Sequence, residues 1–266
     1  MGLLAKVKRH ARAIEFRADL LAELQRARRL GVEVPAWLRQ QVFRNPHKSE
    51  DWINFLRFIQ PRNKIRLIDV GANTGFWAED FLRLFPNTVA TMIEPVPATA
   101  QRLQQRFKGD ERVTIINAAA SSLPGPLDMT VGESTLASVH AYTDPSTGAV
   151  AAGPRVQVKT IKLDNLAFPE DDRINVLKID VQGHEVSALS SGPAFLRHVS
   201  IALIEVSFVH EFVGLRPSFV ECASLLQDAD LHPVIFQDYG LGLGPYATAR
   251  DVLFVRSPLV DNIIGC

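Results

Sequence analysis

The sequence predicts an α/β protein built on a mostly parallel sheet with helices on both faces. Two observations support this: short runs that are apolar at every position, and stretches with helical periodicity between several of them. Runs that are apolar throughout suit strands buried on both sides of a sheet. The apolar runs are Ile65–Val70, Val89–Ile93, Val113–Ile116, Val176–Ile179, Ile201–Val206, Val234–Phe236 and Val252–Val255. The helical stretches are Phe76–Phe85, Ala98–Phe107, His184–Leu189 and Ser218–Ala229.

An N-terminal helical extension, residues 1–60, is predicted ahead of a domain that covers residues 61–266. Apolar side chains recur at helical spacing over residues 3–30, with arginines on the other face, so this stretch predicts an amphipathic helix. We expect it to pack on the domain or on a second copy in a homodimer, and contact with a membrane surface is the alternative. Pro35 and the Asn45-Pro46 pair predict a loop after this helix. A second short helix is predicted from an N-cap at Ser49 to Gln60.

The α/β alternation is interrupted at residues 123–166. Leu127–Val131 and Val156–Leu163 alternate as antiparallel strands do, and residues 132–154 are rich in Ser, Thr, Gly and Pro. The pattern predicts an insertion within the domain. Loops over the carboxyl edge of a sheet commonly carry binding residues, so we place this insertion near the mouth of a site.

Composition and charge exclude several classes of protein. The 266 residues include 29 Lys+Arg and 29 Asp+Glu, and a chain without basic excess is not expected to bind nucleic acid. The two cysteines form no Cys-x-x-Cys pair, which indicates a reducing, cytoplasmic compartment and no structural zinc. We find no apolar stretch long enough to cross a membrane and no secretory signal pattern.

The strongest local signal is the turn at Ile68–Gly75, between a predicted strand and a predicted helix. Gly71 and Gly75 permit left-handed backbone and close approach of a ligand, and the helix that follows offers unpaired N–H groups. No Gly-Lys-Ser/Thr follows, and Asn73 stands where the dinucleotide fingerprint has its second glycine. A tight turn without binding function is the alternative at this point.

Acidic residues at two strand ends favour a particular ligand. Glu94 ends the second strand, where a carboxylate typically accepts hydrogen bonds from ribose hydroxyls. Asp69 ends the first strand and could face a cationic group. S-adenosylmethionine carries an ammonium and a sulfonium, whereas a dinucleotide carries a pyrophosphate, so the pattern favours S-adenosylmethionine. Asn117 ends the third strand, where it could reach an adenine edge or act only as a turn former.

A later strand provides the candidate catalytic residues. Asp180 lies at the carboxyl end of a central strand, Gly183 permits a tight turn, and His184 and Glu185 open the next helix. The alternative interpretation is that His184 caps the helix and has only a structural role. Glu205 ends the following strand, and together with Asp180 it could hold a divalent cation.

Seven pieces in the same order resemble the FkbM family of S-adenosylmethionine-dependent methyltransferases. They are Ile68–Gly75, Ile93–Pro95, Asn117–Ser121, Ser134–Leu136, Thr160–Leu166, Leu177–Glu185 and Ile204–Phe208. Gln182 departs from the pattern, since the family commonly has Glu there. The resemblance implies a Rossmann-like class I methyltransferase sheet with an antiparallel last strand. It also implies methyl transfer to a hydroxyl of a sugar or a polyketide-type natural product.

We combine the residues and the resemblance into a set of expected roles. The cofactor-binding candidates are Asp69, Gly71, Asn73, Thr74, Gly75, Glu94, Pro95, Asn117, Ala118 and Asp180. A hydroxyl needs a base to take its proton, and His184 is our candidate. Asp180 is expected to orient either His184 or the acceptor, and Glu205 is a third catalytic candidate. No resident metal is expected. The insertion is expected to shape the acceptor pocket, and its polar candidates are Ser134, Ser138, His140, Tyr142 and Asp144.

Three other functions remain open from the sequence. The first is a cofactor-binding or assembly protein that performs no chemistry. The second is an NAD-dependent oxidoreductase on a related sheet, which Asn73 in the glycine turn disfavours. The third is a methyltransferase acting on a macromolecule. Zero net charge and 8% aromatic residues make nucleic acid an unsuitable target.

Overall fold

The computed structural model describes residues 17–29, 31–32, 34–44, 46–131, 137–140, 153–208, 215–237 and 249–259. The helices are α1 (17–29), α2 (Ala36–Arg44), α3 (Pro46–Leu56), α4 (Phe76–Leu84), α5 (Pro97–Arg106), α6 (Glu185–Ser190), α7 (Pro193–Leu196) and α8 (Phe219–Gln227). The strands are β1 (Ile65–Val70), β2 (Thr88–Ile93), β3 (Val113–Ile116), β4 (Ala119–Ala120), β5 (Leu127–Val131), β6 (Ala137–Ser138), β7 (Arg155–Val158), β8 (Thr160–Ile161), β9 (Ile174–Ile179), β10 (Ile201–Ser207), β11 (Leu231–Phe236) and β12 (Ala249–Arg256).

Seven strands form the main sheet in the order β11-β12-β10-β9-β1-β2-β3. Strand β12 runs antiparallel to both of its neighbours, and every other pair in the sheet is parallel. The predicted α/β fold with a mostly parallel sheet is confirmed. The chain runs outward from β1 through β2 to β3 and later returns on the other side of β1 as β9. Ligands bind at such a switch point in open α/β sheets.

Two hydrophobic cores lie on opposite faces of this sheet because successive strand residues alternate between the faces. Leu67, Val176 and Leu203 face one core, which also contains side chains of α1 to α5. Ile68 and Leu177 face the other core, which contains side chains of α6, α7 and α8. The central strands are therefore apolar at nearly every position, as the sequence pattern predicted.

The N-terminal helices share the first of these cores. In α1 the side chains of Leu20 and Leu24 are buried in it, so the described part of the predicted N-terminal helix packs on the domain. Helix α3 packs on α4 through Phe55 and Phe81, whose rings meet edge to face at 5.4 Å between centroids. The homodimer and membrane contacts predicted for residues 3–30 fall partly on residues 3–16, which lie outside the described residues.

Two boundaries predicted in this region are wrong. Pro35 was predicted to mark a loop but directly precedes α2, a helix that the sequence analysis missed. Helix α3 begins at Pro46 and ends at Leu56, so Ser49 lies inside the helix and is not its N-cap. Proline is favoured in the first turn of a helix because its missing N–H would have no partner there. Both prolines therefore accompany helix starts.

Two small sheets lie beside the main one, and the insertion provides all of their strands except β4. Strands β5, β6 and β7 form an antiparallel sheet with β5 in the middle, and β4 pairs in parallel with β8. The prediction of one strand over Val156–Leu163 is wrong because the chain changes partners at Lys159, whose carbonyl accepts a hydrogen bond from Ala119 N–H at 2.8 Å. Ser134, Tyr142 and Asp144 lie outside the described residues.

Among the helices of the described ranges, none has the length and apolar character needed to cross a membrane.

Candidate functional site

The glycine turn after β1 brings three strand ends together. Gly71 adopts φ +81°, and its N–H donates to Ile93 O at the end of β2 at 2.9 Å. A Cβ at Gly71 would lie 1.9 Å from the carbonyl oxygen of Asp180, which follows β9. Asn73 also has a left-handed backbone, with φ +52°, where the dinucleotide fingerprint uses glycine. The turn therefore requires glycine at its first position because backbone atoms of β1 and β9 nearly touch there.

Glu94 is held by backbone N–H groups on both of its carboxylate oxygens. Oε2 accepts from Asn73 N–H at 2.9 Å, and Oε1 accepts from Val96 N–H at 2.9 Å. The side chain is 5% exposed, and burial raises the pKa of Glu94 to about 7 in spite of these hydrogen bonds. Each carboxylate oxygen can accept a second hydrogen bond, so the group can still receive ligand hydroxyls.

Two of the predicted binding residues support the turns through other contacts. The side-chain Nδ2 of Asn117 donates to Glu94 O at 2.8 Å and to Pro95 O at 2.9 Å, which ties the end of β3 to the end of β2. The carbonyl of Thr74 accepts from Arg106 Nε at 2.7 Å. Asn117 was predicted to reach an adenine edge or to act only as a turn former, and its amide nitrogen is engaged by backbone carbonyls.

A cavity opens at the carboxyl ends of β1, β2 and β9, and we call it the first cavity. It measures about 660 Å³ when the open solvent at its mouth is included. The predicted residues on its wall are Gly71, Asn73, Glu94, Pro95, Ala118, Asp180 and His184. The predicted residues that do not line this cavity are Asp69, Thr74, Gly75, Asn117 and Glu205. The sequence analysis missed Met129, Ala137 and Val139, which the insertion contributes to this wall.

Asp69 faces a cation that belongs to the protein itself. Its side chain is 1% exposed, and Lys178 Nζ lies 3.7 Å from Asp69 Oδ1 and 3.4 Å from Asp180 Oδ2. Burial raises the pKa of Asp69 against the opposing effect of Lys178. We predicted that Asp69 faces a ligand cation, and the structure places Lys178 there instead. Lys178 is paired with Asp69 in register across β1 and β9, a relation that no local sequence pattern reveals.

Gln182 joins two carboxyl groups from neighbouring strands. Its Nε2 donates to Asp180 Oδ1 and to Glu205 Oε2, both at 2.8 Å. Burial and the nearby Asp180 raise the pKa of Glu205 well above its ordinary value. Burial alone would raise the pKa of Asp180 as well, but Lys178 and the hydrogen bonds from Gln182 and Glu205 outweigh burial and lower it. The two pKa values are therefore shifted in opposite directions, so Glu205 holds a proton more readily than Asp180 does.

The amide of Gln182 occupies the space in which the sequence analysis considered a divalent cation. No group of three or more His, Cys, Asp or Glu side chains that could hold a metal ion occurs within the described ranges. Asp180 and Glu205 therefore converge on an amide nitrogen, and this geometry disfavours the cation alternative.

His184 lies at the edge of the first cavity and is 5% exposed. Its Nε2 is 3.1 Å from Ser121 Oγ, and its ring centroid is 5.8 Å from that of His140. Burial, together with the neighbouring His140, lowers the pKa of His184 to about 4. The imidazole is therefore neutral near pH 7. Its Nδ1 forms no hydrogen bond with any residue in the described part of the chain.

Comparisons with solved structures return matches at low sequence identity. One is the precorrin-6y C5,15-methyltransferase of Geobacter metallireducens GS-15, with 11% identity and a TM-score of 0.40 over 78% of this chain and 85% of that one. Another is the fibrillarin of Aeropyrum pernix in complex with S-adenosyl-L-methionine, with 13% identity and a TM-score of 0.44 over 73% of this chain and 68% of that one.

A search of curated protein sequences finds no match. The family model described as the methyltransferase FkbM domain matches residues 69–233, which is more than half of the chain. The match begins at Asp69 and includes the glycine turn, Glu94, Asp180 and His184. The chain therefore belongs to the FkbM family of S-adenosylmethionine-dependent methyltransferases.

Proposed function

We propose that the chain transfers a methyl group from S-adenosylmethionine to a hydroxyl oxygen of a small molecule, either a sugar or a polyketide-type natural product. The observation that carries this proposal is the neutral imidazole of His184 on the wall of the first cavity, which Asp180 also lines. A hydroxyl is a poor nucleophile until a base takes its proton, and histidine is a common base near neutral pH.

The wall of the first cavity fits S-adenosylmethionine by the chemistry of its donor set. Glu94 keeps acceptor capacity for the two ribose hydroxyls. Asp180 is an ionised carboxylate on the same wall, which suits a ligand with a positive charge. The same wall also includes Asn73, Pro95 and Ala118. Gly71 has no side chain, which leaves the switch point open. The remaining cofactor-binding candidates do not line the cavity and are assigned to supporting the turns: Asp69, Thr74, Gly75 and Asn117.

S-adenosylmethionine supplies an electrophilic methyl carbon. His184 accepts the proton of the acceptor hydroxyl at Nδ1, while its Nε2–H donates to Ser121 Oγ and holds the ring in place. An alcohol resembles water, whose pKa is about 15.7, and full deprotonation in advance would be too costly. The proton instead leaves as the new bond to oxygen forms and the oxygen becomes acidic, so an imidazole with a low pKa is sufficient. Asp180, aimed by Gln182, orients the reacting groups.

The proposal is tested by incubating the protein with S-adenosylmethionine and a panel of hydroxylated acceptors, with detection of S-adenosylhomocysteine and of the methylated product. We expect His184→Ala to lower kcat by about 10²–10⁴-fold, the usual contribution of a general base. His198→Ala is the matched control, since His198 is exposed and does not line the first cavity. A His184→Ala variant with nearly unchanged kcat would exclude this base, and methyl groups found on nitrogen would exclude O-methylation.

A further inference from the structure

A second cavity adjoins the first one at His184. It measures about 400 Å³, and His184 is on the wall of both cavities. Val139 and Gln182 line the first cavity, and their sequence neighbours His140 and Gly183 line the second. The candidate base therefore stands at the boundary between a donor cavity and a separate space large enough for another small molecule.

The wall of the second cavity is rich in hydroxyl groups. Its serines are Ser122, Ser187, Ser190, Ser207 and Ser218. A hydroxyl both donates and accepts hydrogen bonds, so such a wall complements a ligand that carries several hydroxyls of its own. Leu123, Val186 and Leu215 add apolar patches between the serines. This mixture matches a sugar ring, which has hydroxyls around its edge and C–H groups on its faces.

The described wall residues carry no net formal charge. Arg216 and Glu221 are the formally charged side chains on this wall, and their charges cancel. His184 and His140 are also on the wall, and burial lowers the pKa of each. A wall of this kind has no excess charge with which to offset the desolvation of a charged ligand. It therefore favours an uncharged ligand over a uronate or an amino sugar.

A chain of serine hydroxyls links this wall to the candidate base. Ser187 Oγ lies 3.0 Å from Ser122 Oγ and 3.2 Å from Ser121 Oγ, and Ser121 Oγ lies 3.1 Å from His184 Nε2. Two further serines of the wall are fixed by each other. The backbone N–H of Ser207 donates to Ser218 Oγ, and the backbone N–H of Ser218 donates to Ser207 Oγ, both at 2.9 Å. The serines are therefore held in position before any ligand arrives.

We propose that the second cavity is the acceptor pocket and that its acceptor is an uncharged, polyhydroxylated molecule of the glycoside class. This inference rests on the proposed function, because it uses His184 as the base between donor and acceptor. One acceptor oxygen forms a bond to the methyl carbon while the carbon–sulfur bond breaks and its electron pair stays on sulfur. The hydroxyl proton passes to His184 Nδ1, so the positive charge moves from the sulfonium to the imidazole.

The test uses the full chain, saturated with S-adenosylhomocysteine, and three probes observed through methyl NMR resonances of the protein. The probes are methyl β-glucopyranoside, the corresponding glucuronide anion and the corresponding 2-amino sugar cation. We expect the neutral glycoside to shift the resonances of Leu123, Val186 and Leu215, and to bind at least about fivefold more tightly than either charged probe. Shifts confined to other methyl groups, equal binding of the charged probes, or no shift with any probe would each overturn the inference.

A blocking variant provides an independent arm. Ser190→Trp fills the second cavity from the exposed end of α6, at a residue outside the first cavity and outside the hydroxyl chain. Ser224→Trp is the matched control, an exposed helical serine on α8 that lines neither cavity. We expect Ser190→Trp to lose glycoside binding and Ser224→Trp to retain it, and binding in both variants would overturn the inference.

Calorimetric titration with S-adenosylhomocysteine separates the two proposals. If the wild-type chain binds S-adenosylhomocysteine but fails the glycoside tests, the pocket assignment is wrong and the methyl donor site stands. If the wild-type chain does not bind S-adenosylhomocysteine, the proposed function itself fails. Unchanged S-adenosylhomocysteine affinity in Ser190→Trp is expected and verifies that this variant is folded.

Discussion

The substitution Gly71→Ala tests the close approach of β1 and β9 that builds the donor cavity. Gly71 has φ +81°, and an added Cβ would lie 1.9 Å from Asp180 O, whereas real Cβ contacts essentially never fall below 3.0 Å. The two turns would have to separate by about 1 Å. Asp180 O belongs to the backbone, so a side-chain rotation cannot relieve the overlap. The same movement would displace Asp180 and Gln182 on the cavity wall.

The loss of stability that we expect for Gly71→Ala has two parts, and a control variant distinguishes them. Left-handed backbone costs a residue with a Cβ about 1–2 kcal/mol, and forced overpacking costs about 1–3 kcal/mol more. Gly109→Ala carries only the first part, because Gly109 has φ +85° and an added Cβ there would have no other atom within 4 Å. For a chain of about this size, 1 kcal/mol changes Tm by about 2–4 °C, so Gly71→Ala should melt about 2–12 °C below Gly109→Ala.

Thermal melts and calorimetry with S-adenosylhomocysteine measure both consequences. We expect Gly109→Ala to bind as the wild type does and Gly71→Ala to bind at least about tenfold more weakly, a loss of about 1.4 kcal/mol. If the two variants had equal Tm values and equal affinities, the contact between Gly71 and Asp180 would not matter for either stability or binding. The account of the switch point would then be refuted.

Three further predictions concern titration and the carboxylate pair. Ribose hydroxyls favour an ionised Glu94, whose pKa is about 7, so S-adenosylhomocysteine should bind more tightly as pH rises through 7. Binding near pH 7 should release a proton from Glu94, which calorimetry in buffers of different ionisation enthalpy measures. Glu94→Gln should abolish this proton release. Burial raises the pKa of Asp51, Glu94 and Glu185 to about 7, so the unfolded state loses these protons at a lower pH than the folded state does. The free energy of unfolding should therefore fall between about pH 4 and 7 and then level off. Urea titrations that show a rise over this range would contradict this. Gln182→Glu should replace the bridging amide donor with a third carboxyl beside Asp180 and Glu205, so its Tm should rise with added Mn²⁺ while the wild-type Tm stays constant.

The strands of the central sheet could be predicted because burial on both faces leaves a strong sequence pattern. The structure has Ile65–Val70 and Val113–Ile116 with the predicted bounds. The helix at Ala36–Arg44 could not be predicted in the same way, because Pro35 was interpreted as a loop residue. The prediction of one strand over Val156–Leu163 is wrong because alternation of apolar and polar residues does not reveal that the chain changes its pairing strand. Such a change depends on contacts with distant segments.

The site was predictable only where function depends on residues close together in sequence. Gly71 and Glu94 could be recognised because a turn and a strand end have local signatures. The environment of Asp69 could not, because Lys178 comes from a strand more than 100 positions later and faces Asp69 through sheet register. The serine wall of the second cavity is likewise assembled from separate elements, and its members share no spacing.

The most direct test of the central claim is a calorimetric titration of the wild-type chain and of Glu94→Ala with S-adenosylhomocysteine and, separately, with NAD. We predict that the wild type binds S-adenosylhomocysteine at one site, that Glu94→Ala binds it at least about tenfold more weakly, and that neither protein binds NAD. Binding of NAD in place of S-adenosylhomocysteine, or equal S-adenosylhomocysteine affinity in the two proteins, would contradict the assignment of the first cavity.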